Sequence, residues 1–454
     1  MILKEARATL TLALPIVGAQ LAQIAIHTTD VLILARLSDH ALAVGALAFA
    51  LYWFFWMMGQ GLSFAVSPLV AQAVGRNAAD VEAVRAATHD GLIVTLVMSV
   101  ACTALIWSAE PFLVWFGQPA ELIPDTMVFL RLISLSLLPL IWFSVLRSFT
   151  AALSRPRPAM MFVLGCVFLN AVLVYGFTFG MAGIPGMGIV GAGIGSTLAG
   201  WLLFLGFAVY LSLDRRFAAY RIFTSSWRSS SARIGRFLRI GTPIALTLGS
   251  EVGLFSLAGQ LMGRLGADAV AAHLVALQWA TIAFMVPTGI AQAATVRVGL
   301  AAGARDMRGV LRAGWIAIGM GIAFMASSGL LFWLAGPQLI GLFVTDRTSP
   351  VFALAVSYLA LAALFQLVDG AQAVTNGALR GLKDTTLPML FAAFGYWACG
   401  FPIAVWFGFY TPLQGQGIWL GLVAGLAVAA ILLVWRFGWW TRRLGRMQRR
   451  SPAG

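Results

Sequence analysis

The sequence predicts an all-α integral membrane protein with twelve transmembrane helices in two pseudo-symmetric six-helix lobes. Three observations carry that prediction: the composition, the placement of the basic residues, and an internal repeat. Of 454 residues, 60% are hydrophobic and only 10% are charged, against about 25% charged in a soluble protein. Mean hydropathy is +0.90. These polar side chains cannot cover a water-facing surface, so most of the surface must face lipid. Apolar runs of about 20 residues recur from end to end, each long enough to cross about 30 Å of hydrocarbon. A membrane β-barrel would show alternating segments of about ten residues; the runs here are continuous, which favours helices. The 48 glycines suit helix packing in lipid, where small residues let backbones approach.

The runs place spans at 8–35, 42–70, 89–109, 122–150, 159–180, 189–213, 237–262, 269–298, 311–334, 348–380, 386–409 and 416–436. The start, MILKEARATLTLALPIVGAQ, reads as the lead into the first helix and not as a cleaved signal peptide. Cys102, Cys166 and Cys399 all fall inside apolar runs, which predicts neither a disulfide framework nor a metal cluster.

The net charge of +14 raises nucleic acid as a partner, but its distribution argues for topology. The N-terminus and the even-numbered loops are basic, through residues such as Arg76, Arg155, Arg157, Arg215, Arg228, Arg305 and Lys383. The C-terminal tail adds Arg442, Arg443, Arg446, Arg449 and Arg450, whereas the odd loops carry Arg36, Arg264 and Arg347. Roughly 25 of the 30 basic residues thus lie on one side, and the positive-inside rule makes that side and both termini cytoplasmic. An even number of spans requires the same. No nucleic-acid partner is expected.

The halves repeat at an offset of 228 residues, from Pro15-Ile16 to Pro243-Ile244. In the same register Arg36-Leu37 matches Arg264-Leu265, Gly61 matches Gly289, Ala65 matches Ala293, and Gly75 matches Gly303. Later, LSRPRPAM (153–160) echoes LKDTTLPM (382–389). A repeat of six spans keeps both copies in one orientation, with an axis along the membrane normal and a central cavity between lobes. The predicted organisation is an N-terminal lobe over 1–213, a basic cytoplasmic linker over 214–236, a C-terminal lobe over 237–436 and a basic cytoplasmic tail over 437–454.

Nearly all of the 16 acidic residues fall in loops or at helix ends, but Asp30, Glu251 and Asp369 sit deep inside spans. An acid at that depth costs at least ~2.5 kcal/mol on insertion scales, and such residues face a cavity, a cation or a partner. None of the three has a basic partner at helical spacing. Gln23, His27 and Asp30 share one helix face, and Gln366, Asp369, Gln372 and Asn376 form a second polar stripe. Thr247 stands one turn before Glu251, which occupies the repeat position of Gln23. These stripes predict a substrate cavity at Gln23, His27, Gln366 and Gln372, although polar stripes also join helices. His27 is expected to be a cavity residue, with a proton relay as the alternative. Pro15 removes a helix hydrogen bond and permits a kink. That kink either changes the hydration of Asp30 or is a tolerated membrane proline. The cluster YWFFWMM (52–58) reads as lipid-facing or packed bulk, with a seat for lipophilic cations as the alternative.

No G-x-x-x-x-G-K-[ST] loop is present, so the chain carries no P-loop engine. GAGIGS (191–196) mimics a dinucleotide fingerprint but lies in a span with no preceding soluble strand. An HExxH motif and clustered Cys/His sites are absent, so no enzyme activity and no cofactor is expected. Uphill transport would then need an ion gradient, and buried carboxylates can exchange a proton or sodium ion for substrate.

The segments LPIVGAQLAQIAIHTTDVLILARL, GTPIALTLGSEVGLFSLAGQLMGRLGADAVAAHLVAL, LSRPRPAM, ALRGLKDTTLPM and QGIWLGLVAG together resemble the multidrug and toxic compound extrusion (MATE) family, in its bacterial NorM-like branch. The resemblance covers nearly the whole chain. It implies a V-shaped two-lobed fold in the bacterial inner membrane. It also implies export of cationic amphiphilic molecules in exchange for entering H+ or Na+, by a chain able to work as a monomer. By that resemblance an N-lobe ion site is built around Asp30 with Asn170 and Thr197, and a C-lobe site uses Glu251 and Asp369. Two positions depart from it. Cys166 stands where many relatives have Asn, and Phe365 where some sodium-coupled relatives have Tyr. Both remove oxygen ligands and tilt the expectation toward H+, with Na+ at the coupling sites the one metal ion in view. The nearest alternative is a lipid-linked oligosaccharide flippase of the same superfamily, which would need a more cationic cavity. A membrane enzyme would need a catalytic cluster near one interface. A passive channel would show no drug-coupled ion flux.

Overall fold

Every apolar run folds as a helix. The computed structural model describes residues 2–181, 183–227 and 229–450. Arg228 of the linker and residues 451–454 of the tail lie outside them. Among the described residues twelve helices are long and apolar enough to cross a membrane, so the chain is a multi-pass membrane protein. Spans 1 to 6 are Ile2–Leu37, Asp39–Arg76, Val81–Trp107, Ile123–Ala152, Arg157–Phe179 and Gly188–Leu213. Spans 7 to 12 are Ser231–Leu265, Ala267–Gly303, Met307–Leu334, Pro350–Gly381, Thr386–Phe409 and Gly415–Arg443. Phe168 is 75% exposed, Ile431 68% and Val97 67%; apolar side chains this open belong against acyl chains.

Three spans are interrupted. Span 2 turns at Ala65 between helices Asp39–Phe64 and Val66–Arg76. Span 4 breaks at Leu135 and Ser136, between Ile123–Ser134 and Leu137–Ala152. Span 11 carries a π-helical stretch, Phe394–Gly400, just before Pro402. A proline ring clashes with the carbonyl four residues back and leaves it without a donor, which favours a local change of helical pitch. A two-residue antiparallel pairing, Gly180–Met181 with Ile184–Pro185, joins spans 5 and 6.

The repeat reappears in the caps. Ser154 and Lys383, which correspond in LSRPRPAM and LKDTTLPM, both adopt left-handed backbone at φ 61° and 62°. In each case the following amide closes on a carbonyl five residues back, Arg155 on Thr150 and Asp384 on Leu379. This is the helix ending that glycine usually makes, built at both sites without one.

Packing divides the chain into two compact units. One, the N-unit, comprises Gly18–Ala73 and Ala78–Ala245; the other, the C-unit, comprises Met1–Val17, Val74–Asn77 and Leu246–Gly454. The division therefore falls inside spans 1 and 7 and not at the predicted linker. The chain passes from one unit to the other two residues after Pro15 and again two residues after Pro243. Both prolines lie within continuous helices, Ile2–Leu37 and Ser231–Leu265. The linker is built into the N-unit because span 3 holds it. His89 Nε2 meets the Ile222 carbonyl at 2.7 Å, Ser229 donates to Asp90 at 2.5 Å, and Trp227 stacks on His89 at 5.4 Å. Helix also continues beyond the predicted end of span 12, through the basic tail to Arg450.

Each unit has its own core. In the N-unit Phe129, Leu130, Leu137 and Ile141 pack with Leu34, Val44 and Ala48. In the C-unit Trp419, Tyr358, Phe365 and Tyr396 pack with Met262, Leu359 and Leu426.

Candidate functional site

Spans 1, 2, 4, 5 and 6 of the N-unit enclose a cavity with about 740 Å³ of non-atom space, its open mouth included. The polar face of span 1 lines it with Gln23, His27 and Asp30, as helical spacing predicts. Asp30 is 6% exposed. Asn170 of span 5 donates Nδ2–H to Asp30 Oδ1 at 2.6 Å, and Ser196 of span 6 donates to Oδ2 at 2.9 Å. Thr197 does not join this cage: its hydroxyl donates to the Leu132 carbonyl at 2.7 Å. Adjacent residues on a helix point about 100° apart, and of this pair it is Ser196, not Thr197, whose hydroxyl meets Asp30. Cys166 also lines the cavity, with its thiol 3.8 Å from the Ala199 carbonyl oxygen.

Part of the cluster expected to be lipid-facing or packed bulk lines the same cavity. Tyr52, Trp53 and Trp56 line the cavity with Phe49. Trp53 and Trp56 stack at 4.6 Å, and the His27 ring meets Phe49 at 4.7 Å and Trp53 at 5.4 Å. Tyr52 and Ser136 share a 2.7 Å hydrogen bond at the break in span 4. Phe54, 46% exposed, turns outward, and Phe55 and Met57 pack against the core, as that reading expects. A carboxylate facing stacked indoles combines charge attraction with π-faces that hold cations.

The sequence reading missed a buried cation behind Gln23. Arg147 of span 4 is 2% exposed and donates to the side-chain oxygens of Gln20, Gln23 and Gln60. The signal was available, since Arg147 lies inside the predicted span 122–150. A single arginine near the end of a hydrophobic run nevertheless reads as an end-of-span residue.

The other two acids lie in the C-unit. Asp369 is 3% exposed, and its Oδ1 has no hydrogen-bond partner among the described residues. Glu251 is half-buried and lies within electrostatic range of both Asp369 and Arg380. A basic neighbour therefore exists, on another helix, where spacing along one helix could not reveal it. Gln372 donates to the Tyr396 hydroxyl at 2.5 Å, inside the π-helical stretch. Gln366 is fully buried, and neither amide atom has a partner among the described residues. Gln366 and Gln372 thus sit in the C-unit interior and do not line the cavity at Asp30. Phe365 packs on Phe255 and Trp419. No group of three His, Cys, Asp or Glu side chains fit for a metal ion occurs among the described residues.

With this geometry in place, comparison with known proteins is direct. The family model MatE matches residues 15–176 and again residues 243–406, so one model recognises both halves of the repeat. A protein of Mesorhizobium japonicum described as "Probable multidrug resistance protein NorM" is 44% identical over 444 residues, covering 97% of this chain and 94% of that one. A Brucella suis protein of the same description is 39% identical, covering 98% and 94%. Among solved structures, "Outward-facing conformation of a multidrug resistance MATE family transporter of the MOP superfamily" superposes with a TM-score of 0.88 at 21% identity, covering 97% of this chain and 96% of that one. The sequence match across both halves and the shared fold lead to one conclusion: this chain belongs to the MatE family.

Proposed function

We propose that the chain is a secondary active multidrug exporter, carrying organic cations outward in exchange for entering H+, with Na+ as the alternative ion. One observation carries the reading: Asp30, caged by Asn170 and Ser196, faces a cavity walled by Trp53 and Trp56. A single buried carboxylate holds one positive species cheaply, not two. A proton arriving at Asp30 therefore displaces a lipophilic cation resting on the aromatic wall. Glu251 and Asp369 would do the same in the C-unit. Coupling follows if ion and drug favour different states by a few kcal/mol. The multidrug resistance names of the relatives support the substrate class. Cys166 and Phe365 supply no hard oxygen ligand, which favours H+ over Na+. We place the chain in the bacterial inner membrane as a working monomer, with both termini cytoplasmic.

The test is efflux of ethidium from proteoliposomes under a pH gradient and, separately, a sodium gradient. Transport driven by pH and lost in Asp30→Asn and Glu251→Gln supports the reading. Transport driven by sodium alone refutes the choice of ion. Wild-type rates in both variants refute the coupling sites, and no transport under either gradient favours the flippase alternative.

A further inference from the structure

Buried ionised groups in proteins are ordinarily paired with an opposite charge. Arg147 is not. It is 2% exposed, and no ion pair among the described residues includes it. Its Nη1 donates to Gln20 at 3.3 Å and to Gln23 at 3.1 Å, and its Nη2 donates to Gln60 at 3.5 Å. Its Nε has no hydrogen-bond partner among the described residues. Charge-assisted bonds ordinarily run about 2.7–2.9 Å, so three long contacts to neutral amides hold this guanidinium loosely and leave its charge uncompensated. Gln60 is further committed, because its Oε1 also accepts from Ser144 at 2.5 Å. An apolar side chain of similar volume would serve packing here as well as an arginine.

Gln23 links this cation to the cavity, since it both lines the cavity wall and accepts from Arg147. Gln23 and Asp30 are seven residues apart on span 1, about 10 Å of helix rise. The cavity thus has an anionic end at Asp30 and a cationic end behind Gln23, with stacked indoles between them. We propose that Arg147 is an anion-recognition site: the cavity takes a dipolar ligand whose cationic amine rests at Asp30 and whose carboxylate displaces Gln23 and pairs with Arg147. Two parallel N–H···O bonds from a guanidinium fork fit a carboxylate. Such a ligand brings its own compensation for both buried charges. This inference rests on the proposed cation role of Asp30 and adds the opposite pole.

The test compares two probes on the purified full-length protein in lipid nanodiscs. One is an aromatic amphiphile with an amine and a carboxylate about 10 Å apart; the other is its methyl ester. Calorimetric titration is expected to find the acid bound about tenfold or more tighter than the ester, the value of a hydrogen bond to a charged group. Arg147→Gln is expected to bring acid and ester to the same affinity. Arg147→Lys, which keeps the charge without the planar fork, should retain a reduced preference. Equal affinities in the wild type overturn the proposal. So does an Arg147→Gln variant that weakens both probes while keeping their ratio, which is the behaviour of a packing residue. If Arg147→Gln fails to fold, Arg147→Lys decides: a preference as large as the wild type's overturns the proposal. Asp30→Asn reports separately on the cation site. A variant that binds both probes like the wild type refutes the proposed role of Asp30, while the acid-to-ester ratio still judges Arg147.

Discussion

A Cβ on Gly61 would lie 2.4 Å from the Cα of Ala245. The same contact recurs one repeat later, where a Cβ on Gly289 would lie 2.4 Å from Cγ2 of Val17. Gly289 is the repeat partner of Gly61, and Ala245 is the repeat partner of Val17. The sequence duplication is therefore a duplication of helix crossings. Span 2 closes on span 7 inside the N-unit, and span 8 closes on span 1 inside the C-unit. Gly61 meets backbone, which cannot yield, whereas Gly289 meets the tip of a side chain. Gly61→Ala should destabilise by about 1–3 kcal/mol, and Gly289→Ala by less. Thermal melting in detergent ranks them; a Gly61→Ala protein that melts with the wild type would show the crossing to be looser than described.

The Asp30 cage separates stability from coupling. Asp30→Asn removes the charge but keeps oxygen and nitrogen for Asn170 and Ser196, so the fold should persist while gradient-driven efflux is lost. Asn170→Leu removes the donor at 2.6 Å and leaves a buried acceptor short of a partner. That loss should cost about 1–3 kcal/mol. Melting and efflux measured on both variants should move apart for Asp30→Asn and together for Asn170→Leu. Equal melting losses in the two would contradict the cage.

Trp53 and Trp56 are the groups assigned to a lipophilic cation. Each Trp→Ala change should weaken binding of tetraphenylphosphonium by about 0.5–2 kcal/mol. Phe54, 46% exposed on the same helix, should tolerate Ala without change in affinity. Titration of the three variants decides this, and an equal loss at Phe54 would move the seat away from the cavity.

The spans, their number and the repeat were legible because lipid imposes a uniform requirement on every residue in a run. What escaped the sequence was set by contacts between helices. Nothing along span 6 says whether Ser196 or Thr197 turns to Asp30, because that depends on the rotation of one helix against another. Arg380 near Glu251 is invisible for the same reason. YWFFWMM reads as bulk until the helix is oriented, and then one face of it is cavity wall. The linker looks like a tether by composition, yet His89 and Asp90 on span 3 anchor it. Arg147 was the one functional candidate with a usable signal, a charge within a span.

Asp346, in the loop before span 10, offers a pH readout outside the membrane spans. Its carboxylate accepts from the Thr348 hydroxyl at 2.6 Å and the Thr348 amide at 2.9 Å. The hydrogen bonds to Thr348 hold it below the ordinary carboxylate pKa. A depressed folded value means the loop is stabilised above the unfolded pKa, and that contribution is lost as pH falls through the folded one. Amide exchange at Thr348 should therefore stay protected under mild acid and rise only below the usual aspartate range. In Asp346→Asn the protection should show no such acid-dependent loss. Exchange that climbs already near neutral pH would contradict the assignment.

Asp384 ties the start of the tail to the end of span 10. It follows the left-handed cap at Lys383 and accepts from Arg436 Nε at 2.8 Å and Trp440 Nε1 at 2.5 Å, one turn apart on the last helix. The Arg436 guanidinium also lies 4.5 Å over the Trp439 ring. Asp384 and Arg436 are 10% and 15% exposed, so removing one leaves the other charged and largely dry. Asp384→Leu should cost about 3–5 kcal/mol, the usual penalty for breaking a buried pair. Adding Arg436→Met removes the orphaned charge, so the double variant should melt closer to the wild type than Asp384→Leu alone. A double variant as unstable as the sum of the two single changes would mean that these residues do not interact. The tail's helical continuation past span 12 would then need another anchor.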